Sequence, residues 1–521
     1  MATSATVMNQ DGVNRACMMK FGLLLIALGL CGLPGHGKTS QHPTPRAAPQ
    51  PAAAMESKAT AGQQPAGAAQ AEAHYVLTPE KRAKAIAYSR AQYLLYFAGM
   101  ALSLAIYGFF WRIGFAVLLR EWVRRVSARR FVQCVIFAPL FLAAVRVLEF
   151  PLHYYWGFTL EHHYDLSTQG FGSWMADWAK DLGLTAVAGI ILVWVFCSLV
   201  RRSPRRWWLY FWLASIPITL AFILIEPCVV EPLFYHFTPL EKTQPALTDR
   251  IEKMLGHAGL TIPRSRIYEM NASAKTRLVN AYVSGLGSSK RVVVWDTTLE
   301  KLNSDQTLLV LGHEAGHYVL HHIPKEFALD ETLFLVLFYV GFLLINRIVG
   351  RENATTCHSE PFTVIPSEAR NLALPVQGKL REESRTSLRF QSEIPRFARN
   401  DIRTGVEGVG DLASLPIVLL VLTVLVFVAS PAINGISRHY EHQADQFGLE
   451  VAYGIVADPN TADVQSFQTL GEEDLEDPDP NPFVRFWLYT HPPLEERIRF
   501  AASYRPWAEG KPLEFVPTPR E

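Results

Sequence analysis

The sequence predicts a mainly α, polytopic helical membrane protein that embeds one small α/β domain. Three observations predict it. Six long apolar runs alternate with charged segments. One polar stretch, residues 230–326, carries short β-forming runs, of which Arg291-Val292-Val293-Val294-Trp295 is the strongest. That stretch ends in a helix-patterned run containing His313-Glu314-Ala315-Gly316-His317.

Composition narrows the function classes. The 521 residues are 49% hydrophobic and 12% aromatic, with a formal net charge of only +1. A nucleic-acid binder needs a basic patch interleaved with aromatics, and none lies outside the loops between apolar runs, so no nucleic acid is expected as a partner. The six cysteines, Cys17, Cys31, Cys134, Cys197, Cys228 and Cys357, form no C-x-x-C pair. A disulfide scaffold or cysteine metal site is therefore not expected.

Residues 1–34 read as a signal-like or signal-anchor segment, because the apolar run Phe21–Leu33 is short for a span. Residues 35–76 are rich in Ala, Pro, Gln and Gly and read as a disordered linker. Residues 77–229 hold about four membrane helices, expected near 93–118, 131–149, 183–200 and 207–229, each near the length that crosses a bilayer core. Within 230–326 the pattern predicts a helix at Leu247–Ala258 and strands at Arg266–Met270, Asn280–Leu286 and Arg291–Trp295. A turn at Asp296-Thr297-Thr298 then leads to the helix of the histidine motif. A fifth span is expected within 327–350. Residues 351–404 are charged, carry several prolines and contain an imperfect repeat, Ile365–Asn371 against Ile394–Asn400. They read as a low-structure insertion. A sixth span within 405–436 leads to a C-terminal region, 437–510, and a tail, 511–521. The acidic run Gly471–Asp477 reads as solvated surface.

The chemistry sits in two segments. On a helix, residues four apart share a face, so His313 and His317 can reach one ion together. Glu314 lies beside them, placed to take a proton from a water. This is the H-E-x-x-H pattern of zinc proteases. Downstream, Glu441 offers a third ligand, and Asp445, one turn on, offers a carboxylate to orient a ligand imidazole. Two His and one Glu leave the fourth position of a tetrahedral zinc open to water. One zinc ion per chain is the cofactor expected.

In combination these segments resemble the type-I CAAX prenyl endopeptidases, the Ste-type integral-membrane zinc metalloproteases. The resemblance rests on Phe237–Glu241, Val279–Tyr282, Gly285, Lys290–Val293, Asp296–Leu299, Leu311–His317, Ser437-Arg438, Glu441, Ala444-Asp445 and His491–Arg497. Gly157–His163 and Leu166–Gln169 add to it. It covers roughly 80–510 apart from the insertion. It implies a helical membrane barrel around an internal chamber, with an embedded zincin-like α/β metalloprotease domain. It also implies His313, His317 and Glu441 as zinc ligands, Glu314 as general base and His491 as oxyanion donor. Asn280, Ala281 and Tyr282 would form the strand edge that pairs with an extended substrate, and Arg438 would support the site or touch substrate.

The expected function is thus a membrane zinc endopeptidase, acting on peptide or protein substrates that are membrane-associated or prenylated. The runner-up is a non-catalytic quality-control scaffold that keeps the protease fold, which the intact Glu314 disfavours. A transporter would place ionisable residues within its spans. Here they are expected at span ends. The signal-like start and arginine-rich loops fit a bacterial plasma (inner) membrane. Loop charge puts the active site on the extracytoplasmic face, whereas analogy to the eukaryotic family puts it in the cytosol.

Overall fold

The computed structural model describes residues 73–357 and 405–516. The signal-like segment, the linker up to 72, insertion residues 358–404 and residues 517–521 lie outside them. Among the described residues, six helices are long and apolar enough to cross a membrane: Pro79–Arg112, Arg130–His163, Phe171–Arg202, Trp207–Phe234, His322–Gly350 and Leu412–Ala452.

The first of these, α1 (Pro79–Arg112), starts earlier than the expected 93. Pro79 occupies the first helical position, and the Thr78 hydroxyl accepts from the Lys81 N–H. The helix stops before Gly114, which takes a left-handed conformation at φ 69°, and α2 (Phe115–Val126) follows. The expected span 93–118 thus crosses a break. Hydropathy misses it because Ile113–Leu119 stays apolar on both sides. Helix α3 (Arg130–Tyr154) runs through a π-helical turn at Tyr155–Leu160 to His163. Helices α4 (Phe171–Arg202) and α5 (Trp207–Ile225) complete the N-terminal membrane half, α5 continuing through a second π turn to Phe234. These helices exceed the expected spans at one or both ends. As a result Arg146, Asp181, Glu326, Asp330 and Glu331 lie within long apolar helices, where all but the partly covered Asp181 are buried. Ionisable groups are therefore not confined to span ends. Arg146 and Asp181 pair at 3.3 Å.

The sheet has four strands in the order β1-β2-β4-β3: β1 (Phe237–Pro239), β2 (Ile267–Met270), β3 (Ala281–Ser284) and β4 (Arg291–Trp295). The pairs β1–β2 and β3–β4 are antiparallel, and β2–β4 is parallel. Strand β1 was not expected, being three residues long and ending in proline. Helix α6 (Pro245–His257) packs beneath the sheet, and α7 (Asp296–Lys301) begins directly where a turn was expected. Then come α8 (Ser304–Val319), α9 (His322–Cys357), α10 (Leu415–Ala452), α11 (Pro459–Glu473), α12 (Pro482–Leu488) and α13 (Leu494–Ser503).

Four apolar cores hold the described residues, the smallest of them packing Tyr75 against Phe467, Leu494, Ile498 and Ala501. One lies among α1 to α5, α9 and α10. A second joins α6, one face of the sheet, α8 and the end of α10. A third packs the other sheet face, through Tyr282, Val293 and Trp295, against Tyr88 and Leu95 of α1. A buried ion pair at 3.3 Å, Lys275 with Asp177 of α4, ties the loop before β3 to a membrane helix. Breaking one side of such a pair leaves an uncompensated buried charge.

Two expectations change here. Residues 73–76, read as linker, are strapped to the C-terminal region: the Tyr75 N–H donates to Glu495, and the Val76 N–H donates to Gln468. The acidic run 471–477 is not simply solvated. Asp474, Leu475 and Asp477 are buried, and Glu472 and Glu473 pair with Lys81 and Lys301. Burial holds the Asp474 carboxyl well above the usual carboxylate range, despite a hydrogen bond from the Val279 N–H.

Candidate active site

Helix α8 is fixed at its start by a reciprocal cap. The Asn303 side chain accepts from the Gln306 N–H, and Gln306 accepts from the Asn303 N–H. The helix crosses α10 at very short range. A Cβ on Gly448 would come within 3.0 Å of the His313 nitrogen, and one on Gly312 within 3.2 Å of the Gly448 carbonyl oxygen. Small residues on both helices thus let the histidines reach a carboxylate on a helix distant in sequence.

That crossing brings His313, His317 and Glu441 together, each buried. The Nε2 atoms of the two histidines lie 3.2 Å apart. Glu441 Oε2 is 3.2 Å from His313 Nε2, and Oε1 is 3.7 Å from His317 Nε2. Ligands of a tetrahedral zinc at usual bond lengths stand about 3.3 Å apart. The donor set and its spacing therefore fit zinc. Glu314 follows His313 directly and is fully buried.

Each imidazole is held from behind. His313 Nδ1 donates to Asp445 at 2.8 Å, and Arg497 grips the same carboxylate through Nε at 2.9 Å. Burial alone would push the His313 pKa down. The hydrogen bonds and charges of Asp445 and Glu441 outweigh it and hold the group well above the ordinary histidine range. The site is electrostatically built to hold positive charge. His317 Nδ1 lies 3.2 Å from Nδ1 of His322, whose Nε2 is 3.0 Å from Gln443 Oε1. With Gln443 accepting, His322 Nε2 is the donor and its Nδ1 accepts from His317. His322 is fully buried and stacks on Tyr440. The left-handed His321 (φ 58°) ends α8 and folds His322 back under the ligand.

His491 reaches the cluster from the loop after α12, with its Nε2 3.2 Å from Glu441 Oε2. The Thr490 hydroxyl is 2.8 Å from its Nδ1. Arg438 lies behind this loop and donates to the Arg485 and Tyr489 carbonyls. It thus supports the His491 loop.

Strand β3 is the sheet edge. The Asn280 N–H donates to the Thr298 hydroxyl at 2.7 Å, and the Asn280 carbonyl accepts from Trp295 at 3.0 Å. In the antiparallel alternation this makes 280 and 282 the residues bonded to β4, so the main-chain groups of Ala281 and Val283 face the open edge. The Tyr282 hydroxyl donates to Glu231 at 2.8 Å, so that side chain is engaged inside. Tyr318, next to His317, donates to the Gly285 carbonyl at 2.8 Å and fastens the ligand helix to the end of this strand. Gly285 has φ 87°, and a Cβ there would collide with Ser289.

All ten sequence-predicted site residues are therefore on the elements that meet here. Sequence reasoning missed His322, Gln443 and the grip of Arg497. Their only signals were a second histidine pair, His321-His322, and an arginine inside a quoted motif.

Comparison with known proteins agrees with this geometry. Residues 241–505 match Peptidase family M48, and 63–236 match the CAAX prenyl protease N-terminal region with five membrane helices. Four helices of sufficient length are described in that second range. A Bacillus subtilis (strain 168) protein named uncharacterized metalloprotease YhfN is 30% identical, covering 83% of this chain and 88% of its own length. CAAX prenyl protease 1 of Saccharomyces cerevisiae is 24% identical, covering 70% and 71%. The crystal structure of S. mikatae Ste24p superposes with a TM-score of 0.62 at 22% identity, covering 84% of this chain and 93% of that one, which shows a shared fold. With its membrane helices, its sheet and its buried His-His-Glu cluster, the chain belongs to Peptidase family M48, among the Ste-type membrane metalloendopeptidases.

Proposed function

We propose that the chain is a zinc endopeptidase cleaving extended segments of membrane-associated proteins. The observation that carries this reading is the buried His313, His317 and Glu441 triangle with Glu314 beside it. Bound there, zinc would act as a Lewis acid and lower the pKa of a water molecule. Glu314, the buried carboxylate beside the triangle, would accept a proton from water in the site and deliver it to the leaving amine. His491, held by Thr490 and aimed by Nε2 at the cluster, donates to the carbonyl oxygen as negative charge develops. Asp445 and Arg497 keep His313 in the tautomer that leaves Nε2 free for metal.

Substrate binding follows from the edge. The outward main-chain groups of Ala281 and Val283 pair with an extended peptide, and such pairing depends little on sequence. Asn280 supplies a polar side chain at the start of that edge, and Arg438 acts through the His491 loop. A prenyl group is not required by any of these contacts. Glu314 also argues against the scaffold reading, because a scaffold has no use for a buried base beside a metal triangle.

The test is Glu314→Ala in purified full-length protein. Metal content stays near one zinc per chain, and cleavage of a test peptide falls by several orders of magnitude. Wild-type cleavage by this variant would sink the mechanism. Loss of zinc instead would show Glu314 to be a ligand. In parallel, Glu441→Ala loses zinc, and normal zinc content in that variant would move the third ligand elsewhere.

A further inference from the structure

Helix α12 (Pro482–Leu488) has an apolar side that the described residues leave about half exposed. Phe483 and Phe486 are 53% and 54% exposed. The helix is nonetheless firmly seated. Phe483 stacks on Phe97 of α1 at 6.1 Å, and Trp487 lies 4.8 Å from Phe427 of α10. Asn434 and Arg438 of α10 donate to its Trp487 and Arg485 carbonyls.

The depth of those contacts identifies what covers the exposed rings. Helix α1 carries no charge from Ala91 to Trp111, and the α10 segment carries none from Leu412 to Ser437. Phe97 is seven residues past Arg90, and Phe427 is eleven residues before Arg438. At helical rise the backbone positions of Phe97 and Phe427 lie about 10 Å and about 16 Å inside those charges. Both depths fall within a hydrocarbon layer roughly 30 Å thick. The outward stripes of the two helices are apolar along this length, with Leu94, Ala101 and Phe109 on α1 and Val424, Val428 and Ile436 on α10. The rings of α12 continue that exposed apolar surface. Arg485, between the two rings in sequence, pairs with Glu496 at 2.6 Å, and Arg438 donates to the Tyr489 carbonyl, as charges do at a headgroup level.

We propose that α12 is a membrane anchor of the C-terminal region, with Phe483 and Phe486 seated among lipid acyl chains. An amphipathic helix at the interface buries its apolar face in this way. The anchor is linked to the site. Arg438 joins α12 to the Tyr489 carbonyl, two residues before His491. The bilayer therefore helps fix the loop that sets His491 against Glu441. Packing and depth carry this anchor whether or not the site holds a metal.

The experiment uses full-length protein in phosphatidylcholine–phosphatidylglycerol vesicles, on a background lacking the native cysteines. Single cysteines at 483, 486, 428 and 503 carry an environment-sensitive fluorophore. Spin-labelled lipid is expected to quench the 483 and 486 probes as strongly as the probe at Val428, and several-fold more than the probe at exposed Ser503. Aqueous iodide is expected to show the reverse order. Iodide quenching at 483 and 486 equal to that at 503 would place the rings in water and overturn the anchor. A second measurement needs no variant. Wild-type protein in the same vesicles is photolabelled with an apolar diazirine dissolved in the acyl phase and mapped by mass spectrometry. Tags within 482–488 are expected alongside tags near Val428; tags near Val428 alone would overturn the proposal.

Discussion

The two imidazoles of the cluster are oriented by unlike partners, a carboxylate for His313 and a second histidine for His317. The His313 arrangement was legible in the sequence, because an E-x-x-x-D on a helix places Asp445 one turn from Glu441. The His317 arrangement was not, because His322 reaches its partner only through the left-handed turn at His321. The same limit hid the engaged hydroxyl of Tyr282, whose partner Glu231 lies on another element. His322→Leu keeps bulk but removes the acceptor. Zinc affinity is expected to fall about 10–100-fold, as changes behind a ligand typically do. His322→Asn keeps an acceptor near the Nδ1 position and is expected to recover most of that loss. The readouts are zinc titration and the visible spectrum of the cobalt-substituted protein. Equal affinities for the Leu variant and wild type would remove His322 from the metal's support.

At the scale of elements, local pattern predicted what local forces decide. The β-forming run Arg291–Trp295 became β4 with the expected bounds, and Leu247–Ala258 became α6 shifted by a residue or two. The break at Gly114 escaped because hydropathy averages over it. The acidic run escaped because its burial depends on α1, which is distant in sequence. Helix α11 shows the same effect at Asp463, where burial, reinforced by the charge of Asp445, pushes the carboxyl up to about 8. The folded-state pKa is thus above the unfolded one. The stability this confers is fully present below the ordinary carboxylate value and is lost as pH rises through about 8. The melting temperature in detergent is therefore expected to fall between pH 5 and pH 9. Asp463→Asn removes this titration and should flatten the fall, by an amount on the order of a few kcal/mol. Parallel curves for variant and wild type would show that Asp463 does not contribute.

At the scale of the whole molecule, the six spans were legible from composition, but their coupling to the site was not. Glu441 sits on the same continuous helix, α10, as the last span, and α9 begins three residues after α8 ends. Membrane orientation thus fixes which side the site faces. The end of the bundle away from the site gathers Arg125, Arg129, Arg130, Arg201, Arg202, Arg205 and Arg206, all exposed, together with Arg124, which is paired with Glu407. Arg120, from the same loop, is buried against Asp411 and serves the fold, so it drops out of the count. The catalytic end has fewer basic residues in the first turns of α1: Lys81 and Lys84 are paired with Glu472 and Asp165, and Arg82 is exposed. Short loops rich in arginine stay cytoplasmic. We therefore propose that the catalytic region lies on the extracytoplasmic face. A cysteine at Ser503, exposed at the end of α13, tests this on a background without native cysteines. A membrane-impermeant thiol reagent should label it in intact cells. Labelling only after lysis would mean that the arginine-rich end faces outward, and that the orientation is set by something stronger than loop charge.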